Sequence, residues 1–578
     1  MSGYRGDQWL SFEEVLLACA GAVLLAGLLL AADRVGIYGA GRIPYANGGS
    51  CDSWYYYSLI ISPQSGSMLA EGTRFISRPL YFAPVHLLKE LLPGLDPNMA
   101  SYLVFFPLAV SALYLGLRAY FAPTTSLAAT VLVGSAPLLI NMASETYVPM
   151  GAAAYANCTL ASLMWTGRVA GARPAAHLVT AFLAGAFFIF AANANMMAIE
   201  FDSFYVLFAL PLPLLAGING LSRATISLVV RAAGAFLTGA AAAIVFTMAL
   251  SHFLKLGFST PFKQVIEAIA GIDQSRDAGW RHDTVAFALI GTIVLLCALA
   301  CYRVRGRTDI LAGRVRLIAV VAVGTCLFHL ISFSAFGNMS LAFDWWYFLL
   351  LPCVALALCA ALTELIEAGQ KPAIAALVGT ILAANVALSQ FRELKLFLFG
   401  DSQLVSYAIV AVLAALVFWR RKRANVAVLL ALTVLVLQAA NGSITHQHYF
   451  RALEDERNLA QATERAVDFI VAHTPDKPVV WIADADNHRL DLSIFRSLIR
   501  CTFERSFPAK LPDPEIHWQA ALEPGRTLLV IDGNASPQTA IQAALAVHGL
   551  ALDVSASRHI ALAAGTAAGV QLTIGRVR

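Results

Sequence analysis

The sequence predicts a polytopic α-helical membrane protein with about thirteen transmembrane helices and a C-terminal extracytoplasmic α/β domain. The first observation is composition: of 578 residues, 58% are hydrophobic and 13% are charged, with a mean hydropathy of +0.68. The second is length, because the chain repeatedly offers the roughly 20 apolar residues that cross a hydrocarbon core as a helix. The third is a change to soluble composition, which predicts a membrane domain at 1-444 and a soluble domain at 445-578.

The membrane domain is predicted from its long apolar stretches. The shorter stretches fit helices that are tilted or partly enclosed by their neighbours. The stretches centre near residues 14-32, 101-119, 124-141, 147-166, 177-195, 203-220, 231-253, 284-302, 317-336, 343-363, 372-390, 404-419 and 425-440. An odd number of crossings places the two ends of the chain on opposite sides of the membrane.

Orientation follows from the basic residues, which collect in alternate loops, as is typical of short cytoplasmic loops. These loops contain Arg118, Arg168, Arg173, Arg223, Arg231, Arg303, Arg305, Arg307, Arg314, Arg316, Lys371, Arg420, Arg421, Lys422 and Arg423. Opposite-side segments at 255-281 and 392-395 also hold positive charge, mixed with acids. We expect a multi-pass membrane protein with a cytoplasmic N-terminus and an extracytoplasmic C-terminal domain. The net charge of +4 reflects this topology, and no nucleic-acid partner is expected.

The first outer loop, 33-100, spans about 68 residues and is far longer than an ordinary connection. Its run CDSWYYY places a carboxylate before four aromatic residues. A later run, TRFISRPLYFAPVHLLKELLPG, has the amphipathic pattern of a helix lying on the outer leaflet. The two runs contain Asp52, Trp54, Tyr55, Tyr56, Tyr57, Arg74, Arg78 and His86.

Asp52 has two interpretations on its residues alone. Its carboxylate could cap a helix by accepting the backbone N–H groups of Trp54 or Tyr55, with the aromatics forming an interfacial belt. It could also act as a general base, because burial among Trp and Tyr rings would raise its pKa toward the working pH. The loop also supplies two guanidinium groups suited to phosphate oxygens and one titratable imidazole. An aromatic belt has no need of these groups, which favours catalysis.

These features resemble the GT-C glycosyltransferases, membrane enzymes that use a polyprenyl-phosphate-linked sugar as donor. The architecture of residues 1-440 carries the resemblance: one crossing, a long outer loop with an acid before aromatics, many further crossings and an extracytoplasmic tail. The D-S-W-Y-Y-Y run looks like the first-loop signature of oligosaccharyltransferase catalytic subunits. The S-R-P-L-Y run is similar to runs in bacterial sugar transferases of the lipid A and arabinofuranosyl kind.

The resemblance implies a hexosyl- or pentosyltransferase that moves a sugar from a polyprenyl phosphate to a glycan or lipid acceptor of the cell envelope. It implies Asp52 as catalytic base and Glu145, between the third and fourth crossings, as a second acid. Many members carry paired acids in the first loop, whereas Ser53 follows Asp52 here, so a second acid has to come from elsewhere. Glu200 and Asp202 are weaker alternatives, and Glu145 could instead be a solvated loop acid.

Binding residues are expected in three places. Arg78 or Arg74 would hold the donor phosphate, with contact to lipid headgroups as the alternative. A second outer loop offers Lys263, Arg281 and His282 for the same phosphate, and its amphipathic middle could form a lid. Substrate contacts are expected from the aromatic residues of the first loop and from four further residues. For one of these, Trp345, an ordinary position at the membrane interface is the alternative. These remaining candidates are His86, Asp344, Trp345 and Tyr347.

The pattern does not require a metal ion, although Asp52 and Glu145 could share Mg²⁺ or Mn²⁺ through carboxylate oxygens. The nine cysteines show no metal-binding spacing. Cys51 and Cys501 both map to the outer side, where a disulfide could persist or both thiols could stay unpaired. Peptide mapping with and without reductant distinguishes these two states.

The C-terminal domain is predicted to be a small α/β unit with a mostly parallel sheet. The runs KPVVWIADADN and TLLVIDGNA have the pattern of buried strands, and ERNLAQATERAVDFIVAHT and SPQTAIQAALAVHGL have helical spacing. Asp484, Asp486 and Asp532 would lie where strands end, which is where such sheets bind ligands. The domain has no glycine-rich phosphate loop, which favours an accessory or acceptor-binding role.

Two other classes of function remain open. A transporter or flippase of a lipid-linked envelope sugar would place acids and broken helices near the bilayer midplane. The few polar candidates there are Asn193, Asn195 and His329, which helix-packing hydrogen bonds also explain. A non-catalytic scaffold would bind an envelope partner through its tail. The charges collect at the outer ends of the predicted helices, which favours the glycosyltransferase.

Overall fold

The fold is seen in a computed structural model that describes most of the first 370 residues and parts of the C-terminal domain. The described ranges are 11–33, 77–93, 97–134, 148–170, 172–195, 197–211, 222–256, 284–336, 350–367, 479–482, 524–532, 538–561 and 569–578, with single positions between 56 and 63, at 95, 139 and 143, and between 462 and 474.

The membrane domain is built from helices that follow the predicted apolar stretches. In chain order they are α1 (Phe12–Asp33), α2 (Pro79–Leu91), α3 (Pro97–Arg118), α4 (Pro123–Gly134), α5 (Val148–Val169), α6 (Pro174–Ala194), α7 (Met197–Ala209), α8 (Arg223–Phe253), α9 (Thr284–Arg303), α10 (Ile310–Phe336) and α11 (Leu351–Glu367). Helix α4 ends before the predicted 141, and α7 begins before the predicted 203. The crossings predicted at 372-390, 404-419 and 425-440 lie outside the described residues.

Four segments in the described part of the chain are long and apolar enough to cross a membrane: Met99–Arg118, Pro174–Ala194, Arg223–Phe253 and Ile310–Ile331. Helix α8 also exposes large apolar side chains, such as Leu237 at 66% and Val245 at 64%. Continuous apolar surface of this kind suits lipid rather than water. The prediction of a mostly helical protein is confirmed for the described residues, with four helices long and apolar enough to cross a membrane. The total of about thirteen stays a prediction.

Polar contacts gather at the end of the bundle where α1 begins and α3 ends. Glu14 forms an ion pair with Arg118, whose Nη1 also donates to the carbonyl of Phe121 at 2.7 Å. Arg314, in the first turns of α10, donates to the carbonyl of Tyr120 at 3.4 Å. These contacts bring the predicted cytoplasmic loops to one end of the bundle.

Glycines allow α6 and α8 to cross at close range. A Cβ atom at Gly185 would lie 1.9 Å from the carbonyl oxygen of Phe236, and one at Gly239 would lie 1.9 Å from that of Phe182. Small residues at a crossing let helix backbones approach, which is how helices commonly pack in lipid. The crossing fixes α6, which carries residues of the candidate site at its far end.

The C-terminal domain contains a four-stranded sheet in the order β1-β2-β4-β3. The strands are β1 (Val479–Ile482), β2 (Thr527–Asp532), β3 (Leu552–Ala561) and β4 (Gly569–Val577), and helix α12 (Gln538–Val547) connects β2 to β3. Strand β1 pairs with β2 in parallel, whereas β4 pairs antiparallel with both β2 and β3.

The expectation of a mostly parallel sheet is therefore wrong for the four described strands. The short link at 562–568 is too short for a crossover, so it joins β3 and β4 as antiparallel neighbours. The sequence correctly predicted strands β1 and β2, in KPVVWIADADN and TLLVIDGNA. It also correctly predicted helix α12, in SPQTAIQAALAVHGL. The side chain of Asp532 and the segment with Asp484 and Asp486 lie outside the described residues.

A valine at Gly185 tests the close crossing. We expect Gly185→Val to lower the free energy of unfolding by at least about 1–3 kcal/mol, because its side chain meets backbone that has no room to move. The control is Gly234→Ala on α8, where no atom lies within 4 Å of the added Cβ. Thermal unfolding in detergent measures both, and equal unfolding midpoints for the two variants would contradict the crossing.

Candidate functional site

The candidate site centres on the first turn of α2, within the segment predicted to be the first outer loop. The helix begins at Pro79, whose fixed φ suits a first helical position and whose missing N–H needs no partner there. Arg78 is the residue before this turn and its side chain makes no cap hydrogen bond. The partial positive charge of the helix N-terminus therefore adds to that of the guanidinium.

Asn193, in the last turn of α6, holds the start of α2. Its Oδ1 accepts from the backbone N–H of Leu80 at 3.3 Å, and its Nδ2 donates to the carbonyl of Ser77 at 2.8 Å. The side chain thus caps α2 from another helix and bridges the two residues that flank Arg78 and Pro79. Asn193 is 3% exposed, so both hydrogen bonds are shielded from water.

Two tyrosines add to this attachment. The hydroxyl of Tyr155 on α5 donates to the carbonyl of Leu80 at 3.0 Å. The hydroxyls of Tyr81 and Ser101, on α2 and α3, are hydrogen-bonded at 3.1 Å. Helices α3, α5 and α6 therefore all hold the first turn of α2 through buried hydrogen bonds.

Gly151 makes room for this arrangement. A Cβ atom there would lie 2.7 Å from Cδ2 of Tyr81, so a larger residue would displace the ring. The Tyr81 ring stacks on Phe105 with centroids 5.3 Å apart and meets Tyr56 edge-on at 5.0 Å. Aromatic packing in these geometries stabilises beyond simple burial.

Arg78 is bound by a residue from the aromatic run of the first loop. Its Nη1 donates to the hydroxyl of Tyr56 at 2.7 Å, and its guanidinium carbon lies 5.9 Å from the ring centroid. Tyr56 is 0% exposed. The side chain of Tyr56 is therefore enclosed and orients Arg78, and its predicted contact with substrate stays a prediction. The guanidinium is half-buried and keeps further N–H groups for a ligand.

His86 lies two turns along α2 from Arg78 and also meets the first loop. Its Nδ1 donates to the carbonyl of Ile60 at 2.8 Å, which leaves Nε2 as an acceptor in the neutral imidazole. Tyr56, Leu59 and Ile60 are all 0% exposed. The end of the aromatic run is thus packed against α2, and Arg78 and His86 each hold it by one hydrogen bond.

The structure brings together three of the predicted site residues, Tyr56, Arg78 and His86. The others lie outside the described residues, and their roles stay predictions. They are Asp52, Trp54, Tyr55, Tyr57, Arg74, Glu145, Lys263, Arg281, His282, Asp344, Trp345 and Tyr347. Cys51 and Cys501 lie outside as well. Among the described residues, no group of three or more His, Cys, Asp or Glu side chains could hold a metal ion.

Asp202 is the acid enclosed within the bundle. It lies on α7 at 0% exposure, and neither carboxylate oxygen has a hydrogen-bond partner by distance and angle among the described residues. Thr159 on α5 lies beside it, but the Thr159 hydroxyl donates to the carbonyl of Tyr155 at 3.1 Å. The side chain of the other weak candidate, Glu200, lies outside the described residues.

Sequence reasoning missed the roles of Asn193, Ser77 and Gly151. The helix-packing hydrogen bonds that the sequence suggested for Asn193 are confirmed, but a carboxamide gives no sign that its partner lies more than 100 residues away. The signals that existed were Pro79, which marks a helix start, and the lack of a capping side chain at Arg78.

No protein-family model matches this chain, and no curated protein matches it. Solved structures of two kinds are similar to it. Apo ArnT from Cupriavidus metallidurans aligns with a TM-score of 0.42 at 15% identity, over 96% of this chain and 98% of that chain. The same protein bound to undecaprenyl phosphate gives a TM-score of 0.45 at 13% identity over the same shares.

The second kind is the oligosaccharyltransferase AglB from Archaeoglobus fulgidus, in complex with an inhibitory peptide and a dolichol-phosphate. It gives a TM-score of 0.38 at 12% identity, over 86% of this chain and 65% of that chain. At TM-scores below 0.5, these similarities assign no role to the residues of this chain.

Replacing Asn193 tests the attachment of α2. We expect Asn193→Leu to cost about 1–3 kcal/mol for each buried group left unsatisfied, the Ser77 carbonyl and the Leu80 N–H. Amide hydrogen exchange across Tyr81–Leu91 should then accelerate. The control is Asn157→Leu, which removes a buried hydrogen bond to the carbonyl of Ala109 without touching α2. Unchanged protection of α2 in Asn193→Leu would show that Asn193 does not hold it.

Proposed function

We propose that this protein is a GT-C-type glycosyltransferase of the bacterial inner membrane. It transfers a sugar from a polyprenyl-phosphate donor to a glycan or lipid acceptor of the cell envelope, at the periplasmic face. The observation that carries the proposal is the fixed position of Arg78. A guanidinium held at a helix N-terminus, in the same loop as the Asp52 run, suits a lipid phosphate.

In this proposal Arg78 binds the donor phosphate. The phosphate is the leaving group of sugar transfer, so its negative charge grows as the bond to the sugar breaks. A cation that is already oriented stabilises this charge without reorganising during the reaction. The hydrogen bond from Arg78 to Tyr56 and the attachment of α2 by Asn193 supply that orientation.

Asp52 is the proposed base that takes the proton from the acceptor hydroxyl. It lies four residues before Tyr56 in the sequence, so covalent geometry keeps the two Cα atoms within about 14 Å. Because Tyr56 contacts Arg78, the chain permits the base and the phosphate site to lie side by side. Glu145 is the proposed second acid, and with Asp52 it could hold Mg²⁺ or Mn²⁺.

The orientation of the site is also proposed. The arginine-rich end of the bundle, with Arg118 and Arg314, would face the cytoplasm by the positive-inside rule. The start of α2 lies at the other end, since it contacts Ser101 near the start of α3. Arg78 would therefore face the periplasm, and the C-terminal domain would act there as an accessory or acceptor-binding unit.

Asp52→Asn is the first test. A positioned base contributes roughly 10²–10⁴-fold to rate, so transfer from radiolabelled polyprenyl-phosphate sugars should fall by about that factor. Donor binding and thermal unfolding should stay unchanged, because the amide is close in shape. Full activity in this variant would exclude Asp52 as the base, and Glu145→Gln measured in parallel would show whether the second acid contributes.

Tyr56→Phe and Arg78→Gln test the phosphate site. Arg78→Gln removes a charge-assisted contact of about 1.5–3 kcal/mol, so kcat/KM should fall roughly 10- to 100-fold. Tyr56→Phe keeps the ring and removes only the hydrogen bond, so we expect roughly fivefold weaker binding of undecaprenyl phosphate. The control is Tyr102→Phe, because the Tyr102 hydroxyl donates to the carbonyl of Ala26 on α1. Equal donor affinity in Tyr56→Phe and Tyr102→Phe would contradict the orienting role of Tyr56.

One observation favours the alternative of a transporter or flippase. Asp202 is an acid enclosed by helices, which is the feature that membrane transport sites commonly show. Asp202→Asn distinguishes the two functions in liposomes that contain a labelled lipid-linked sugar. The glycosyltransferase predicts that transfer persists in this variant. Loss of lipid movement across the bilayer in Asp202→Asn, with no transfer activity in the parent protein, would favour the flippase.

A further inference from the structure

A second charged site lies at the end of the bundle opposite Arg78. Residues 303–316, which comprise the end of α9, the connection and the first turns of α10, are called the basic turn here. It contains one acid, Asp309, and five arginines, which leaves an excess of four positive charges. The arginines are Arg303, Arg305, Arg307, Arg314 and Arg316.

The basic turn has a defined shape. Gly306 adopts a φ of +81°, a left-handed conformation that glycine takes without strain and that reverses the chain sharply. Nη2 of Arg316 donates to the carbonyls of Val304 at 3.0 Å and Arg307 at 2.7 Å. These contacts tie the first turns of α10 back to the end of α9, so the positive charges are held close together.

The single acid of the basic turn is engaged within it. Oδ1 of Asp309 accepts from the N–H of Ala312 at 2.8 Å, and Oδ2 pairs with the guanidinium of Arg307 at 2.8 Å. The N–H of Ala312 and then the Arg307 guanidinium hold the pKa of Asp309 below its ordinary value. Asp309 thus caps α10 and neutralises one arginine, while Arg305 stays exposed.

Exposed apolar side chains flank these charges. Tyr302 is 72% exposed on the last turn of α9, and Ile310 is 76% exposed on the first turn of α10. Leu295, two turns earlier on α9, is 51% exposed. Cationic groups at a helix end with apolar and aromatic groups beside them match the two parts of a phospholipid, a phosphate headgroup and its acyl chains.

We propose that the basic turn binds the headgroup phosphate of an anionic phospholipid, with Tyr302 and Ile310 against its glycerol and acyl region. If these arginines served only to orient the protein in the membrane, positive charge would be enough. Neither the apolar residues beside the charges nor the fixed shape of the turn would be needed. The site is independent of the proposed glycosyl transfer, because Arg314 contacts Tyr120 at the end of the bundle away from α2.

The experiment uses the full-length protein in nanodiscs that contain phosphatidylglycerol or phosphatidylcholine. Native mass spectrometry counts the lipids retained after mild activation. We expect retention of phosphatidylglycerol over phosphatidylcholine, and a roughly fivefold loss of that retention in Arg305→Gln. The matched control is Arg223→Gln, which removes an exposed arginine at the start of α8 and should change retention less than twofold.

Two further arms separate the possible outcomes. Ile310→Gln should also weaken retention, because it removes the apolar border without changing charge. Millimolar inorganic phosphate should leave the lipid bound, and its complete displacement by phosphate would indicate a free-anion site instead. Equal retention of the two lipids, or equal losses in Arg305→Gln and Arg223→Gln, would overturn the proposal. Arg305→Lys, which keeps the charge, should retain most of the lipid and so controls for misfolding.

Discussion

The carboxamide of Asn193 is the interaction on which the candidate site depends. A carboxamide donates and accepts at the same time, so it can pair with the carbonyl of Ser77 and the N–H of Leu80 together. A carboxylate of similar size could not donate to the Ser77 carbonyl, and an apolar side chain would leave both groups unsatisfied. Burial makes such a loss costly, because an enclosed donor or acceptor cannot exchange its lost partner for bulk water.

Aromatic packing connects the start of α2 to the first loop and to the helices of the bundle. Tyr81 lies between Tyr56 and Phe105, and Phe105 meets Tyr155 edge-on at 5.9 Å. Tyr155 in turn binds the backbone of α2. The first loop, α2 and three helices of the bundle therefore share one continuous packed core. An arginine fixed in this way loses little conformational entropy when it binds an anion.

The bundle has two polar ends with different organisation. At the α2 end, Arg78 is held by neutral hydrogen-bonding groups, which leaves its charge available to a phosphate. At the other end, arginines pair with acids and carbonyls, as in Glu14 with Arg118 and Asp309 with Arg307. Asp202 lies between these two ends, enclosed by helices. An enclosed carboxylate is costly unless it has a function or a partner.

The sequence by itself determined the helical class, the bounds of most described membrane helices and the choice of Arg78, His86 and Tyr56 as residues of interest. Length and hydrophobicity decide these features, because a lipid-facing helix has to satisfy its backbone internally along a run of apolar residues. The tertiary structure alone decided that Tyr56 is buried and orients Arg78, and that Asn193 caps α2. Those outcomes depend on contacts between residues distant in the chain, and local pattern carries no record of which helix a given side chain meets.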